Sequence, residues 1–96
     1  MTKYEIMFIL RPTLSEEELK TALENYKKIV TDKGGNLIDV KEIGQQELAY
    51  EIKSFKTGFY YLFEIEAQDD QVIKEFDRVA LISDDIIRHL ITKKEI

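Results

Sequence analysis

Residues Lys3–Leu10 carry apolar side chains on both faces of an extended chain. Tyr4, Ile6, Phe8 and Leu10 fall on one face, and Glu5, Met7 and Ile9 on the other. A strand that is apolar on both sides must be covered twice, which suits the middle of a sheet. Arg11-Pro12 ends it, because Pro12, the only proline, has no N–H to offer a ladder. The rest of the chain has to build around this strand.

A helix follows. Ser15-Glu16-Glu17-Glu18 has the form of a capping box, with Ser15 as N-cap and Glu18 at the third helical position. Leu14 and Leu19 flank the cap as a hydrophobic staple, and the three glutamates suit the positive end of the helix dipole. Leu19, Ala22, Leu23, Tyr26, Ile29 and Val30 recur at helical spacing, Lys27, Lys28 and Lys33 sit near the far end, and Gly34-Gly35 supplies the stop. Asn36–Ile43 and Gln45–Lys53 have strand composition, with Gly44 between them as a bulge or bend. A turn over Ser54–Thr57 leads to Gly58 and the aromatic strand Phe59–Glu66. Asp69 or Asp70 can cap a second helix bearing Val72, Ile73, Phe76, Val79 and Ala80. After a Ser83-Asp84-Asp85 turn, Ile86–Thr92 is the last strand, with Ile87, His89 and Ile91 on one face and Ile86, Arg88 and Leu90 on the other.

The order βαββαβ predicts an α+β, ferredoxin-like fold: a four-stranded antiparallel sheet with two helices on one face, as a single domain over residues 1–96. With 44% hydrophobic and 34% charged residues, the chain is too apolar to be disordered. If the helices cover Ile6, Phe8, Leu10, Tyr61, Phe63 and Ile65, the open face keeps the apolar strip Met7, Ile9, Tyr60 and Leu62. Such a strip marks a docking surface. The competing explanation is that Tyr60 and Leu62 merely cover each other across the strands.

Enzymatic chemistry finds no support. There is no cysteine, and no P-loop or Gly-x-Gly-x-x-Gly. His89 is the only histidine and no motif positions a nucleophile beside it, so it reads as a strand residue half-buried against a helix. Asp69-Asp70 and Asp84-Asp85 suit caps and turns rather than a metal. No cofactor or metal site is expected. The longest wholly apolar run, Ile6–Leu10, falls far short of a membrane span, and Met1–Glu5 has no signal-peptide pattern, so a cytoplasmic protein without a membrane partner is expected. The net charge of −5 is spread along the chain, which argues against coating nucleic acid, DNA included, by bulk charge but leaves room for a small basic patch.

Gly58-Phe59-Tyr60-Tyr61-Leu62 loosely resembles the third-strand signature of an RNA recognition motif, but Thr57, Tyr60 and Glu64 stand where that signature has a base, a small residue and an aromatic. A different likeness spans nearly the whole chain. Tyr4-Glu5-Ile6-Met7-Phe8-Ile9-Leu10-Arg11-Pro12, Leu14-Ser15-Glu16-Glu17-Glu18, Gly34-Gly35, Gly44–Lys53, Gly58-Phe59-Tyr60 and Ile86–Ile91 together resemble the bacterial small-subunit ribosomal protein S-six family, in register over about ninety positions. That resemblance implies a structural, ribosome-associated protein that binds small-subunit (16S) ribosomal RNA in company with ribosomal protein S-eighteen, as a heterodimer. The family usually reads Gly-Lys-Arg-Arg-Leu-Ala-Tyr where this chain has Gln45, Gln46 and Glu47 in the three basic places. Three positive charges are absent and one negative charge is added. A divergent partner or RNA surface accommodates that change, and so does a changed function.

Two sets of site residues follow. A protein partner is expected on Met7, Ile9, Tyr60 and Leu62 and on the edge strand at Gln45, Gln46, Leu48 and Tyr50, where a strand can be added. RNA is expected at Lys3, Arg88 and Lys93, because the first and last strands are antiparallel neighbours and Lys3 and Lys93 share a rim. The family resemblance also carries over Arg88 and Tyr4. Lys93 and Lys94 can equally be read as a solvated tail. The alternative function is a non-ribosomal ferredoxin-like regulatory or ligand-binding module that self-associates through its open sheet face.

Overall fold

The computed structural model describes residues 2–94. The elements run β1 (Thr2–Leu10), α1 (Glu16–Asp32), β2 (Asn36–Ile52), β3 (Phe55–Ala67), α2 (Gln71–Ile82) and β4 (Ile86–Lys94). The sheet order is β2-β3-β1-β4, all pairs antiparallel, so β1 and β3 are central and β2 and β4 are the edges. This is the ferredoxin-like arrangement, with both helices on one face. The doubly apolar first strand sits in the middle.

The capping box forms as expected. The Glu18 N–H donates to Ser15 Oγ and the Ser15 N–H donates to Glu18 Oε1, each at 3.2 Å. That backbone N–H bond to the carboxylate holds the Glu18 carboxyl below its ordinary pKa. Helix α1 stops at Gly34, whose φ of +86° suits glycine, and the Gly35 N–H donates to the Val30 carbonyl at 2.9 Å. At the start of α2, Asp70 occupies the N-cap position but its side chain bonds no helix N–H. The residue before it does that work, as Asp69 Oδ1 accepts from the Gln71 N–H at 3.1 Å.

The core lies between the sheet and the helices. Ile6, Phe8, Leu10, Phe63, Ile65, Val72 and Phe76 are essentially inaccessible. Phe8 is its hub, with ring centroids of Tyr26, Phe63, Phe76 and Tyr61 between 5.0 and 5.6 Å away. His89 is half-buried against α2, where Nε2 lies 2.7 Å from Asp77 Oδ1.

Three local expectations are corrected. The β2–β3 turn is not Ser54–Thr57 but the two-residue Lys53-Ser54, and β3 starts at Phe55. Both turn residues have positive φ, 50° and 71°, the conformation of a tight two-residue hairpin turn that normally selects Asn or Gly. Ile86 does not share a face with Arg88 and Leu90. The β1–β4 register shifts between Ile9 and Leu10, so Leu10 faces Ile86 while Ile9 faces Arg88. The extra residue, Ile87, lets Ile86 turn under the helices into the core. Finally, Asn36–Ile52 is one strand with register shifts against β3 that set off Ile38, Ile43 and the stretch Leu48–Glu51. Gly44 stands beside the second shift at φ +99°, the bulge glycine its sequence context implied.

Candidate nucleic-acid and partner interface

The pairing register arranges the open face in rows across the sheet. One row reads Lys41, Leu62, Met7, Leu90, and the next reads Gly44, Tyr60, Ile9, Arg88. These two rows bring the expected strip together. Met7, Ile9, Tyr60, Arg88 and Leu90 line a shallow hollow of about 250 Å³. Gly44 beside Tyr60 leaves the β2 side of that ring without a neighbouring side chain.

The strip is less exposed than its sequence suggested. Met7, Tyr60 and Leu62 are half-buried, and Ile9 is only 4% exposed. Gly58 lies directly against the Ile9 side chain, with Ile87 at its other side, so Ile9 forms the floor of the hollow rather than its surface. Leu90, which the sequence reading left out, is 55% exposed and is the most prominent apolar side chain of the hollow. Strand alternation put Leu90 beside Arg88, so the signal to include it was present.

The flanking rows are charged. The row Asp39, Glu64, Glu5, Thr92 holds two ion pairs, Lys41 to Glu64 at 3.8 Å and Lys94 to Glu5. The hydrogen bond to Glu5 raises the Lys94 pKa. Lys94 is thus committed within the sheet. Arg88 makes no ion pair with any described residue and is exposed.

The four residues expected at RNA do not form one patch on one face. Lys3 pairs with Lys94, and both lie on the open side. Arg88 is on the same side but opposite Ile9, six residues along β1 from Lys3, which is about 20 Å at strand rise. Tyr4 pairs with Lys93 on the helix side, and these two line a separate hollow with Ile73, Lys74, Asp77 and Ile91. Arg88 and Lys93 stand on the edge strand β4, and Lys3 and Tyr4 stand one strand in, on the end of β1 that pairs with Lys94 and Lys93.

At the opposite edge, Gln45 and Gln46 face Phe59 and Gly58, and Gln45 Nε2 donates to Thr57 Oγ1 at 3.4 Å. Beyond Glu47 the hairpin opens. Leu48, Ala49, Tyr50 and Glu51 stand against the single residue Lys56 before pairing resumes at Ile52 and Phe55. This arch raises Tyr50 to 71% exposure and encloses a hollow of about 540 Å³ with Glu47, Lys56 and Thr57.

Charge divides by edge. Strand β2 holds one lysine against Asp39, Glu42, Glu47 and Glu51, a net −3, whereas β4 holds Arg88, Lys93 and Lys94 and no acid, a net +3. Among the described residues no group of acids and histidines could hold a metal ion, and no helix is long and apolar enough to cross a membrane.

Residues 3–93 match the family model for Ribosomal protein S6. The chain belongs to the ribosomal protein S6 family. It is 47% identical over 95 residues to the small ribosomal subunit protein bS6 of Shouchella clausii, covering 99% of each chain. The crystal structure of the 30S ribosomal protein S6 of Thermotoga maritima superposes with a TM-score of 0.91 at 32% identity, over 97% of this chain and 87% of that one. An Arabidopsis thaliana protein of 11% identity shares the fold alone, at a TM-score of 0.59 over 100% of this chain and 95% of its own. Membership makes this a structural ribosomal protein, cytoplasmic and ribosome-associated, and not an enzyme.

Proposed function

We propose that this chain, acting as one domain, binds 16S ribosomal RNA in the small subunit together with ribosomal protein S-eighteen, as a heterodimer. RNA runs along β4 and the adjoining end of β1, at Lys3, Tyr4, Arg88 and Lys93. The protein partner covers Met7, Ile9, Tyr60 and Leu62 and the β2 edge at Gln45, Gln46, Leu48 and Tyr50. One observation supports the reading above the rest: a chain of net charge −5 keeps its last strand free of acids and leaves Arg88 and Lys93 there in no ion pair with a described residue. Phosphate affinity needs such a local concentration of cations whatever the total charge. The acidic body then leaves the remaining phosphate contacts to a basic partner.

Reconstitution tests the reading. The purified chain is mixed with small-subunit ribosomal RNA, with and without S-eighteen from the same cell, and sedimented. Co-sedimentation that requires or is strengthened by S-eighteen is expected. A chain that stays at the top of the gradient as a homo-oligomer in both mixtures overturns the proposal in favour of a self-associating module.

A further inference from the structure

The two sheet edges differ in more than charge, and the difference says what kind of segment β2 accepts. Strand β2 offers a new strand little uninterrupted edge. Its first half carries register shifts at Ile38 and Ile43, and Asp39 Oδ1 already accepts the Val40 N–H at 2.9 Å. Pairing to β3 runs without a shift over two four-residue stretches, Asp39–Glu42, where the Val40 N–H is already taken by Asp39, and Gly44–Glu47. The second stretch is followed by the Leu48–Glu51 arch with its exposed Tyr50. The segment open to strand addition is therefore short, and it lies between Glu42 on one side and Glu47 and Glu51 on the other, all three exposed and in no ion pair with a described residue.

Like charges select against two occupants. A nucleic-acid backbone meets three carboxylates. A second copy paired antiparallel about Gly44 and Gln45 sets Glu42 against Glu47 at both ends of the new ladder, and like charges directly opposite are destabilising. A cationic segment meets the reverse situation. Its backbone pairs with Gly44–Glu47, its lysines or arginines meet Glu42, Glu47 and Glu51, and one cation can lie on the exposed ring of Tyr50.

We infer that the β2 edge at Gly44–Glu51 is a docking site for an extended, Lys/Arg-rich segment of the protein partner. The inference rests on the proposed partnership and adds the chemistry of the segment that makes it. It assigns the partner's basic charge a role apart from phosphate binding: it selects this edge, leaving β4 to the RNA.

The test uses the full-length, isotope-labelled chain and three probes: a ten-residue peptide alternating lysine and threonine, its glutamate counterpart, and a uridine decamer. Amide shifts map where each one binds, and titrations at two salt concentrations give affinity. The lysine peptide is expected to shift Gly44–Glu51 amides, with affinity that falls as salt rises, and the glutamate peptide to leave them unmoved. Glu47→Lys with Glu51→Lys should weaken the lysine peptide by about tenfold or more while the uridine shifts on β4 stay unchanged. Equal binding of both peptides at β2, lysine-peptide shifts confined to another surface, unchanged affinity in the double variant, or concentration-dependent joining of β2 to the β4 edge of another copy would each overturn the inference. If S-eighteen co-sediments with the chain but the lysine peptide avoids β2, this inference alone fails. If S-eighteen does not associate at all, the proposed partnership fails whatever the peptides do.

Discussion

Replacing Gly58 by alanine should destabilise the fold, and the structure supplies the reason. Gly58 is buried and its φ is not positive, so its backbone admits any residue. By conformational entropy alone the change would stabilise by about 0.4–1 kcal/mol. Space decides otherwise. A Cβ at this position would lie 2.3 Å from Ile9 Cγ2, 3.2 Å from the Leu10 carbonyl oxygen and 3.3 Å from Ile87 Cδ1. Ile9 is β-branched and 4% exposed, so its Cγ2 cannot swing aside like the tip of a long side chain. Overpacking of this kind costs roughly 1–3 kcal/mol, which outweighs the entropic gain. For a domain of this size the net loss lowers Tm by roughly 5–15 °C. A double-mutant cycle with Ile9→Ala identifies the cause. Ile9→Ala alone should cost about 2–5 kcal/mol. In that background Gly58→Ala should be neutral or stabilising, for a coupling of about 1–3 kcal/mol. A neutral or stabilising Gly58→Ala in the native background, or the same loss with Ile9→Ala present, refutes the account of how Gly58 packs against Ile9.

Three further outcomes are expected. Ser15→Ala should lower stability by about 1 kcal/mol in urea unfolding at neutral pH. The native Glu18 carboxyl has its pKa depressed by the cap, so its contribution is complete above the ordinary carboxylate pKa and is lost as pH falls through the lower folded value; the gap between native and variant should narrow over that acid range, and a gap constant down to that pH contradicts the cap. Phe8→Ala removes the ring that four other aromatic rings surround and should cost about 3–5 kcal/mol by the same assay, whereas a loss under 1 kcal/mol would mean the core is not organised on Phe8. Met7→Glu puts a charge on the half-buried strip and should abolish capture of the protein partner while circular dichroism stays native; retained capture removes the strip from the interface.

Much of this architecture is legible in the sequence because local signals agree with the global fold. The alternation in Lys3–Leu10, the Ser15–Glu18 box and the Gly34-Gly35 stop each specify their element without tertiary help. Two of the misreadings, at Ile86 and at Leu48–Glu51, share one cause, a change of register. Alternation assigns faces only while pairing is uninterrupted, so the bulge at Ile87 sent Ile86 to the wrong side. The Lys53-Ser54 turn adopts a left-handed conformation without the Asn or Gly that would announce it. The arch at Leu48–Glu51 depends on how β3 pairs and has no local mark. On the open face, the apolar strip and Arg88 were readable from periodicity. The burial of Ile9 was not, because it depends on Gly58 from another strand.

The salt dependence of RNA binding by Arg88→Ala tests the central claim most directly. The chain and S-eighteen are titrated together onto small-subunit ribosomal RNA over a range of salt concentrations, native against variant. Loss of a phosphate contact at the β4 edge should weaken binding and flatten the log–log slope by about one unit. Unchanged affinity and unchanged slope would place Arg88 outside the interface and contradict the assignment of RNA to this edge.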